Sequence, residues 1–276
     1  MTAAEEDNSS INEENLARDL GIAVIADNRR VVYISLRLRN MPGVIHKVSS
    51  IFTRYNVNIL NGFHYASPFN KIGEWSFFAD ITGVDISNLI NELRNMEEVI
   101  EVKYVEPRYG RAVFDILHFP LYIHGIRAIT FDINMFTTTL EGLKKDLGDA
   151  GKVFLFRMGI EGGKLCYESI KRLYGASGIE PFQIALAIIQ GFGWGKVIKY
   201  KIDRENLEGY LRIGDLFECI PVKGLKKKPN SFYFKGLMQG FLCKAFNTQI
   251  HVKETKCVAK NDPYCEFRFK RAYFKP

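Results

Sequence analysis

The stretch ETKCVAKNDPYCEFRF, residues 254–269, holds the side chains of this sequence that are best suited to chemistry. Two residues separate Glu254 from Cys257, and Cys265 follows across an Asn-Asp-Pro run that is typical of a turn. Zinc accepts thiolate and carboxylate ligands, two cysteines can form a disulfide, and a cysteine can also pack as a small apolar side chain. The stretch is therefore a metal site, a disulfide clip or a hairpin with buried thiols.

Strand periodicity predicts that this carboxylate lies on the buried side of a hairpin. Because side chains alternate between the two faces of a strand, the apolar faces are shared by Ile250, Val252 and Glu254 on one strand and by Cys265, Phe267 and Phe269 on the other. A buried carboxylate must be protonated, paired or bound to a metal. Cys257 lies an odd step from Glu254, so it needs a bulge or a strand end to turn inward. Zinc binding, buried thiols beside a hydrogen-bonded Glu254, and a redox-sensitive pair all stay open.

The composition indicates a soluble protein with a sizeable core. The chain has 276 residues, of which 47% are hydrophobic and 25% charged, and this length favours two domains. No run approaches the roughly 20 apolar residues of a membrane span, and the acidic start is unlike a secretory signal. We therefore expect a cytoplasmic protein that does not enter a membrane. A reducing compartment also disfavours disulfides among its five cysteines.

The net charge of +7 raises the question of a nucleic-acid partner. However, the basic residues are scattered along the sequence, and the cluster at 226–228 is followed by proline and asparagine, as in a solvated loop. A helix with a capping box at Ser10 and Glu13 is predicted near the start, but no recognition helix follows it. The sequence therefore argues against nucleic acid as a partner, and residues 1–29 are predicted to be a flexible tail.

The next part of the chain alternates between strand and helix patterns. Its strands begin with the alternating residues 32–39, and its helices follow from apolar residues at positions 44, 48, 51, 52 and 55 and at positions 86, 89, 90 and 93. Further strands are predicted at VNILNGFHYA, EWSFFADITG and VIEVKYVEP. The order is βαββαβ, which is typical of a ferredoxin-like fold with helices on one face of an antiparallel sheet.

Within this region, RNMPGVIHKVSSIFTRYNVNIL resembles the signature of an ACT domain, with its Pro-Gly turn and an Asn-Ile strand start. The resemblance covers residues 30–107. It implies a homodimer and, in the amino-acid-binding members, a ligand at the dimer interface. Asn40 and Asn58 match two ligand-binding positions and Gly43 matches the backbone contact at the helix start, whereas Leu38 stands where some serine-binding relatives carry histidine.

The residues are chemically suited to that role. Gly43 leaves the first helical N–H groups approachable for a carboxylate, and an asparagine amide offers both a donor and an acceptor. Two structural alternatives stay open, because Asn40 can cap the helix and Asn58 can hold the turn before the strand.

Residues 108–130 have no clean period and are predicted to connect this domain to a second α+β unit. That unit is predicted to contain a helix with Leu140, Leu143 and Leu147 on one side, a strand at KVFLFRMG, and a helix with Ile170 and Leu173 inward and Cys166 as a buried thiol. A helix at EPFQIALAIIQG and one at FYFKGLMQGFLCKAFN are predicted among strands at KVIKYKID, GYLRIGDLFECI, HVKETKC and CEFRFKRAYF.

The motifs FGWG, GLMQGFLCKAF and VKETKCVAKNDPYCEF, in that order, resemble a vinyl-4-reductase (4VR) domain over residues 131–276. The resemblance implies the fold shared with nitric-oxide-signalling and Golgi-transport proteins, and a small, often hydrophobic ligand. In the phenol sensors of this group the corresponding glutamate and two cysteines help to bind zinc, which implies Glu254, Cys257 and Cys265 here. Their further cysteine corresponds to a place near Ser231, and Cys243 is the candidate for the fourth ligand.

Together these features predict a ligand-sensing regulatory protein that is not an enzyme. The ACT domain would dimerise and bind an amino acid, the 4VR domain would bind a second small molecule, and a partner protein would carry the output. The alternatives are an accessory or catalytic subunit of a reductase in tetrapyrrole or hydrocarbon metabolism, and an assembly scaffold without a ligand.

Overall fold

The computed structural model describes residues 16–123 and 125–272, and the chain divides into two compact units, Asn15–Ile129 and Thr130–Pro276. The capping box predicted at Ser10 and Glu13 lies outside the described residues. None of the helices in the described part of the chain combines the length and the apolar character that crossing a membrane requires.

The first unit contains nine strands and two helices among its described residues. They are β1 (Ala23–Ile25), β2 (Val31–Arg39), α1 (Val44–Arg54), β3 (Asn58–Tyr65), β4 (Ile72–Asp80), α2 (Ile86–Arg94), β5 (Val99–Val105), β6 (Arg108–Tyr109), β7 (Ala112–Phe114), β8 (Tyr122–Ile123) and β9 (Ile126–Arg127).

The main sheet of this unit is antiparallel with strand order β3-β4-β2-β5. The predicted βαββαβ order is confirmed, and the predicted face of β2 is buried against the helices at Val32, Ile34, Leu36 and Leu38. The expectation of a half-buried β2 is wrong at Tyr33. That side chain is 2% exposed, because a small sheet of order β1-β7-β6 supplies Val113 to a second apolar cluster on the other face.

The second unit packs four helices with one antiparallel sheet of order β10-β11-β13-β12. Its elements are α3 (Ile133–Leu147), α4 (Asp149–Tyr174), α5 (Glu180–Gly191), β10 (Lys196–Asp203), β11 (Glu208–Gly214), a 3₁₀ turn (Ile220–Val222), α6 (Phe232–Ala245), β12 (Ile250–Lys256), a 3₁₀ turn (Val258–Lys260) and β13 (Cys265–Arg271). The hairpin of the opening motif is thus β12 and β13, with both predicted apolar faces in the core.

The strand predicted at KVFLFRMG is wrong, because these residues lie inside α4. Glycines explain the error. A Cβ on Gly159 would collide with the Tyr233 carbonyl of α6, and one on Gly163 would collide with the Leu237 carbonyl. The two helices therefore meet backbone to backbone, and α4 does not need a broad apolar stripe to bury itself.

Three side chains of the second unit lie further out than the sequence predicts. Leu147 and Leu173 are exposed at the ends of α3 and α4, although Leu140 and Ile170 are buried as expected. Cys166 is only partly buried, and its surroundings still raise the pKa of its thiol by desolvation.

Candidate functional site

Four potential metal ligands converge beside the β12–β13 hairpin. Cys219 lies between β11 and the first 3₁₀ turn, Glu254 lies on β12, Cys257 follows the end of β12, and Cys265 begins β13. One ligand atom from each of the four lies within 4.8 Å of all the others. We call these four residues the thiol–carboxylate cluster.

Hairpin geometry turns Cys257 toward Glu254. The pairing of β12 with β13 shifts register between Glu254 and Lys256, which is the bulge that the odd spacing required. The turn is then fixed by Asp262, whose carboxylate accepts from the Cys257 N–H at 2.7 Å, and by Asn261, which adopts a left-handed φ of 70°. The predicted inward orientation of the two hairpin cysteines is therefore confirmed.

The cluster is buried and its sulfur atoms are close together. Each of its three cysteines is 0% exposed and Glu254 is 7% exposed. The Cys219 and Cys257 sulfurs are 3.4 Å apart, and the Val258 N–H donates to the Cys265 sulfur at 3.4 Å. Three sulfurs and one carboxylate form a donor set that suits tetrahedral zinc.

Ser231 holds the carboxylate of the cluster. Its N–H donates to Glu254 Oε2 at 3.1 Å, its hydroxyl donates to Oε1 at 2.7 Å, and the same hydroxyl lies 2.9 Å from the Cys219 sulfur. The position where the resemblance implies a cysteine is thus occupied by a side chain that orients the glutamate.

The protonation states of the cluster are uneven. Burial, with the nearby Cys257 thiolate, raises the pKa of Glu254 to about 9, so the side chain is neutral at pH 7. Hydrogen bonds from Cys219 and Cys265 lower the pKa of Cys257, because they stabilise its thiolate. The same contact with Cys257 raises the pKa of Cys219. A divalent cation would favour the ionised form of all four ligands.

Comparison with known proteins bears on this hairpin. Residues 215–271 match the family model of the vinyl-4-reductase (4VR) domain. All four residues of the cluster lie in the matched range, hereafter the 4VR region. No curated protein matches the chain.

Solved structures also resemble parts of the chain. The phenol-responsive sensory domain of the transcription activator PoxR with phenol is 17% identical, with 53% of this chain and 78% of that chain covered and a TM-score of 0.45. A vinyl-4-reductase family protein from Methanocaldococcus jannaschii is 17% identical over 53% of this chain and 85% of that one, with a TM-score of 0.35. The ACT domain of a Chlorobium tepidum GTP pyrophosphokinase is 15% identical over 28% of this chain and 100% of that one, with a TM-score of 0.24.

The fourth member of the cluster is Cys219, which was not predicted from the sequence. The candidate Cys243 does not belong to the cluster, and its sulfur instead accepts from the Ile250 N–H at 3.2 Å. The available signal was a cysteine near the end of the strand predicted at GYLRIGDLFECI, but β11 ends earlier, at Gly214. Spacing from the glycine-rich helix could not locate Cys219, because it reaches the hairpin from the loop after β11.

The ACT-type positions Asn40 and Asn58 do not meet within one chain. Asn58 pairs with Asp80, which also pairs with Val31 at the start of β2, whereas Asn40 follows the end of that strand. Nine extended residues of β2 span roughly 30 Å. One ligand can therefore contact both asparagines only if a second copy of the chain supplies one of them.

Asn40 also has a structural task. Its amide nitrogen donates to the Ser67 carbonyl at 2.8 Å and to the Asn70 carbonyl at 2.7 Å, which fastens the β3–β4 loop. It does not cap α1, where Gly43 holds the N-cap position with a φ of 84° and no side-chain bond. The space beside Gly43 is open, so the helix start stays approachable.

A second polar cluster lies on the outer face of the first unit's sheet, and no pattern in the sequence pointed to it. His118 Nδ1 lies 2.7 Å from Asp115 and Nε2 lies 2.5 Å from Glu74. We call these three residues the His118 clasp. Ser76 lies 3.4 Å from the same Nε2, but it is 0% exposed and donates to Glu74, so the serine is not poised as a nucleophile.

Proposed function

We propose that this protein is a small-molecule-sensing regulator whose 4VR region carries a structural zinc ion. Cys219, Glu254, Cys257 and Cys265 would hold the metal, and its role would be to fasten the hairpin to the loop after β11. The observation that carries the proposal is the convergence of four buried donor atoms within 4.8 Å of one another. A closed set of four protein ligands is typical of structural rather than catalytic zinc.

The electrostatics of the cluster support this role. A neutral Glu254 and one thiolate among three sulfurs form a polar group in the core, and a core has no reason to gather these side chains unless a cation compensates them. Ser231 would then orient the carboxylate toward the metal, as hydrogen bonds to metal ligands commonly do.

The sensing role rests on the 4VR match and on the aromatic interior beside the cluster. Phe136, Phe217 and Tyr233 pack ring against ring, and Trp194 lies 5.4 Å from Phe217, two residues before Cys219. Such surroundings suit a small hydrophobic ligand. Movement of these rings would reach the metal-bound loop directly, and a partner protein would carry the output.

The first unit would serve as the dimerisation and amino-acid-binding module. Asn40 and Gly43 of one copy and Asn58 of the other would contact the ligand, because a single chain separates them along β2. Asn58→Ala is then expected to abolish an amino-acid-induced rise in melting temperature, and a monomer at micromolar concentration in light scattering would contradict the shared site.

Elemental analysis tests the metal directly. Protein purified without chelator is expected to contain about one equivalent of zinc, which Cys219→Ser and Cys265→Ser remove. Cys243→Ser and Cys166→Ser are matched controls outside the cluster and should retain the metal. Less than about a tenth of an equivalent in wild-type protein would retire the zinc site and leave a hydrogen-bonded thiol cluster.

Native mass spectrometry tests the sensing role separately. Freshly purified protein is expected to retain a small molecule, and aromatic compounds such as phenol are expected to raise the melting temperature of the wild type. Turnover of such a compound would favour the enzyme alternative instead.

A further inference from the structure

The sheet of the second unit has one apolar face and one strongly basic face. Strand alternation directs Leu211, Val252 and Phe267 into the core, so their neighbours point outward. We call the outward set the basic sheet face; its main members are Lys201, Tyr210, Arg212, Lys253, Arg268 and Lys270.

Strand pairing gathers these residues into rows although they are far apart in sequence. Lys201 pairs with Tyr210, Tyr210 pairs with Arg268, and Arg268 pairs with Lys253, which makes one row across all four strands. The adjacent row runs from Lys199 through Arg212 to Glu266. The rows explain why a charge that looks scattered in the sequence is concentrated in the fold.

One carboxylate in these rows organises the arginines without neutralising the face. Glu266 is 3% exposed and accepts from Arg212 at 2.8 Å and from Arg268 at 2.9 Å. Burial raises the pKa of Glu266, but hydrogen bonds from Arg212, Thr255 and Arg268 outweigh it and lower the pKa to about 2. In the part of the chain that the structure describes, no ion pair links Lys253 or Lys270 to a carboxylate.

Aromatic rings alternate with the cations. The Arg212 guanidinium lies 4.8 Å from the centre of the Tyr210 ring and 5.3 Å from that of Tyr264, and Lys256 Nζ lies 4.8 Å from the Tyr264 ring. Phosphates pair with lysine, and bases stack on tyrosine rings and guanidinium planes.

We propose that the basic sheet face binds single-stranded nucleic acid. Its alternation of positive charge and flat π systems is the combination that a single strand with unstacked bases recognises. A duplex fits less well, because groove reading requires a helix or ribbon that projects into the groove, and this face is a plain sheet. An anionic membrane fits less well too, since the two tyrosines are held beside cations and only partly exposed.

Fluorescence anisotropy with labelled oligo-dT and oligo-U tests this proposal on the full chain. Binding is expected at about 50 mM salt and should weaken about tenfold or more near 200 mM, as contacts to several phosphates require. Lys253→Glu combined with Lys270→Glu is expected to weaken binding about tenfold. Lys227→Glu combined with Lys228→Glu is the matched control, because it changes the net charge equally in an exposed loop outside the sheet.

Two further arms separate other outcomes. Tyr210→Leu should weaken oligonucleotide binding while circular dichroism stays unchanged, because it removes a stacking surface. Equal loss in the face variant and the loop control would overturn the proposal, as would no binding at low salt. Binding to phosphatidylserine vesicles that needs Lys253 and Lys270, with no binding to either oligonucleotide, would assign the face to a membrane instead.

Discussion

The thiol–carboxylate cluster and the His118 clasp both gather ionisable groups, but they differ in how charge is balanced. The clasp contains its own cation, because His118 can donate from both ring nitrogens only when it is protonated. Among the described residues, the cluster offers four acceptors and no basic side chain. A site that lacks an internal counter-charge points to an ion from outside, whereas a balanced site is complete within the chain.

The largest effect should follow from breaking the cluster. Cys265→Ser is expected to lower the free energy of unfolding by about 3 kcal/mol or more, because it removes a metal ligand and disturbs three segments at once. A chelator should lower the melting temperature of the wild type and leave this variant unchanged. Cys243→Ser, assayed alongside, should still respond to the chelator; a wild type that does not respond would place the cluster in the same class as the clasp.

Breaking the clasp should have a smaller effect. His118→Gln is expected to cost about 1–2 kcal/mol in urea denaturation, because an amide cannot supply a charge to both Asp115 and Glu74. A chelator should have the same effect on this variant as on the wild type. A variant as stable as the wild type at pH 6 would show that the carboxylates find water instead.

The pH dependence of the clasp sharpens the contrast. Hydrogen bonding to Asp115, and then to Glu74, raises the pKa of His118 against the opposing effect of burial. Burial raises the pKa of Asp115, but His118 outweighs it and lowers that pKa below 3.8. The His118 contribution to stability is therefore complete below pH 6.5, its value in the unfolded chain, and is lost as pH rises through the raised folded pKa.

The Asp115 contribution has the opposite sign, since it is present above pH 3.8 and is lost as pH falls through the lowered folded pKa. The stability difference between wild type and His118→Gln should thus be greatest between these limits and shrink at alkaline pH. Denaturation series at pH 5.5 and pH 9 measure it, and a difference that grows toward pH 9 would refute the charged clasp.

The smallest effect is expected for Glu74→Gln. This residue is one of two carboxylates on His118 and is 34% exposed, so its loss should cost about 0.5 kcal/mol. Asp115→Asn, at the better buried carboxylate, serves as the comparison and should cost more. Equal effects in thermal denaturation would mean that burial does not grade the two contacts.

Period-two patterns in the sequence are sufficient to predict much of the cluster. They orient Glu254 and Cys265 inward and require the bulge that turns Cys257, because alternation is a local property of the strand. Cys219 was missed because tertiary packing alone brings its loop to the hairpin. The clasp was invisible for the same reason, since His118 and Glu74 are 44 residues apart.

The remaining errors also have local causes. Helix α4 was predicted in part as a strand because its glycines replace the apolar stripe by which a helix is recognised. The role of Asn40 could not be read either, since its amide is engaged by a loop that begins 27 residues further on.

The backbone contact of α4 with α6 has a mechanical consequence. With glycine at Gly159, Gly163, Gly236 and Gly240, no layer of side chains is available to compress or to change rotamer between the two helices. Neither helix can slide along the other without carbonyl groups colliding, so the pair behaves as one strut. Its amides at this crossing should be among the slowest in the chain to exchange with solvent deuterium, and a ligand-driven motion of the unit must carry both helices together.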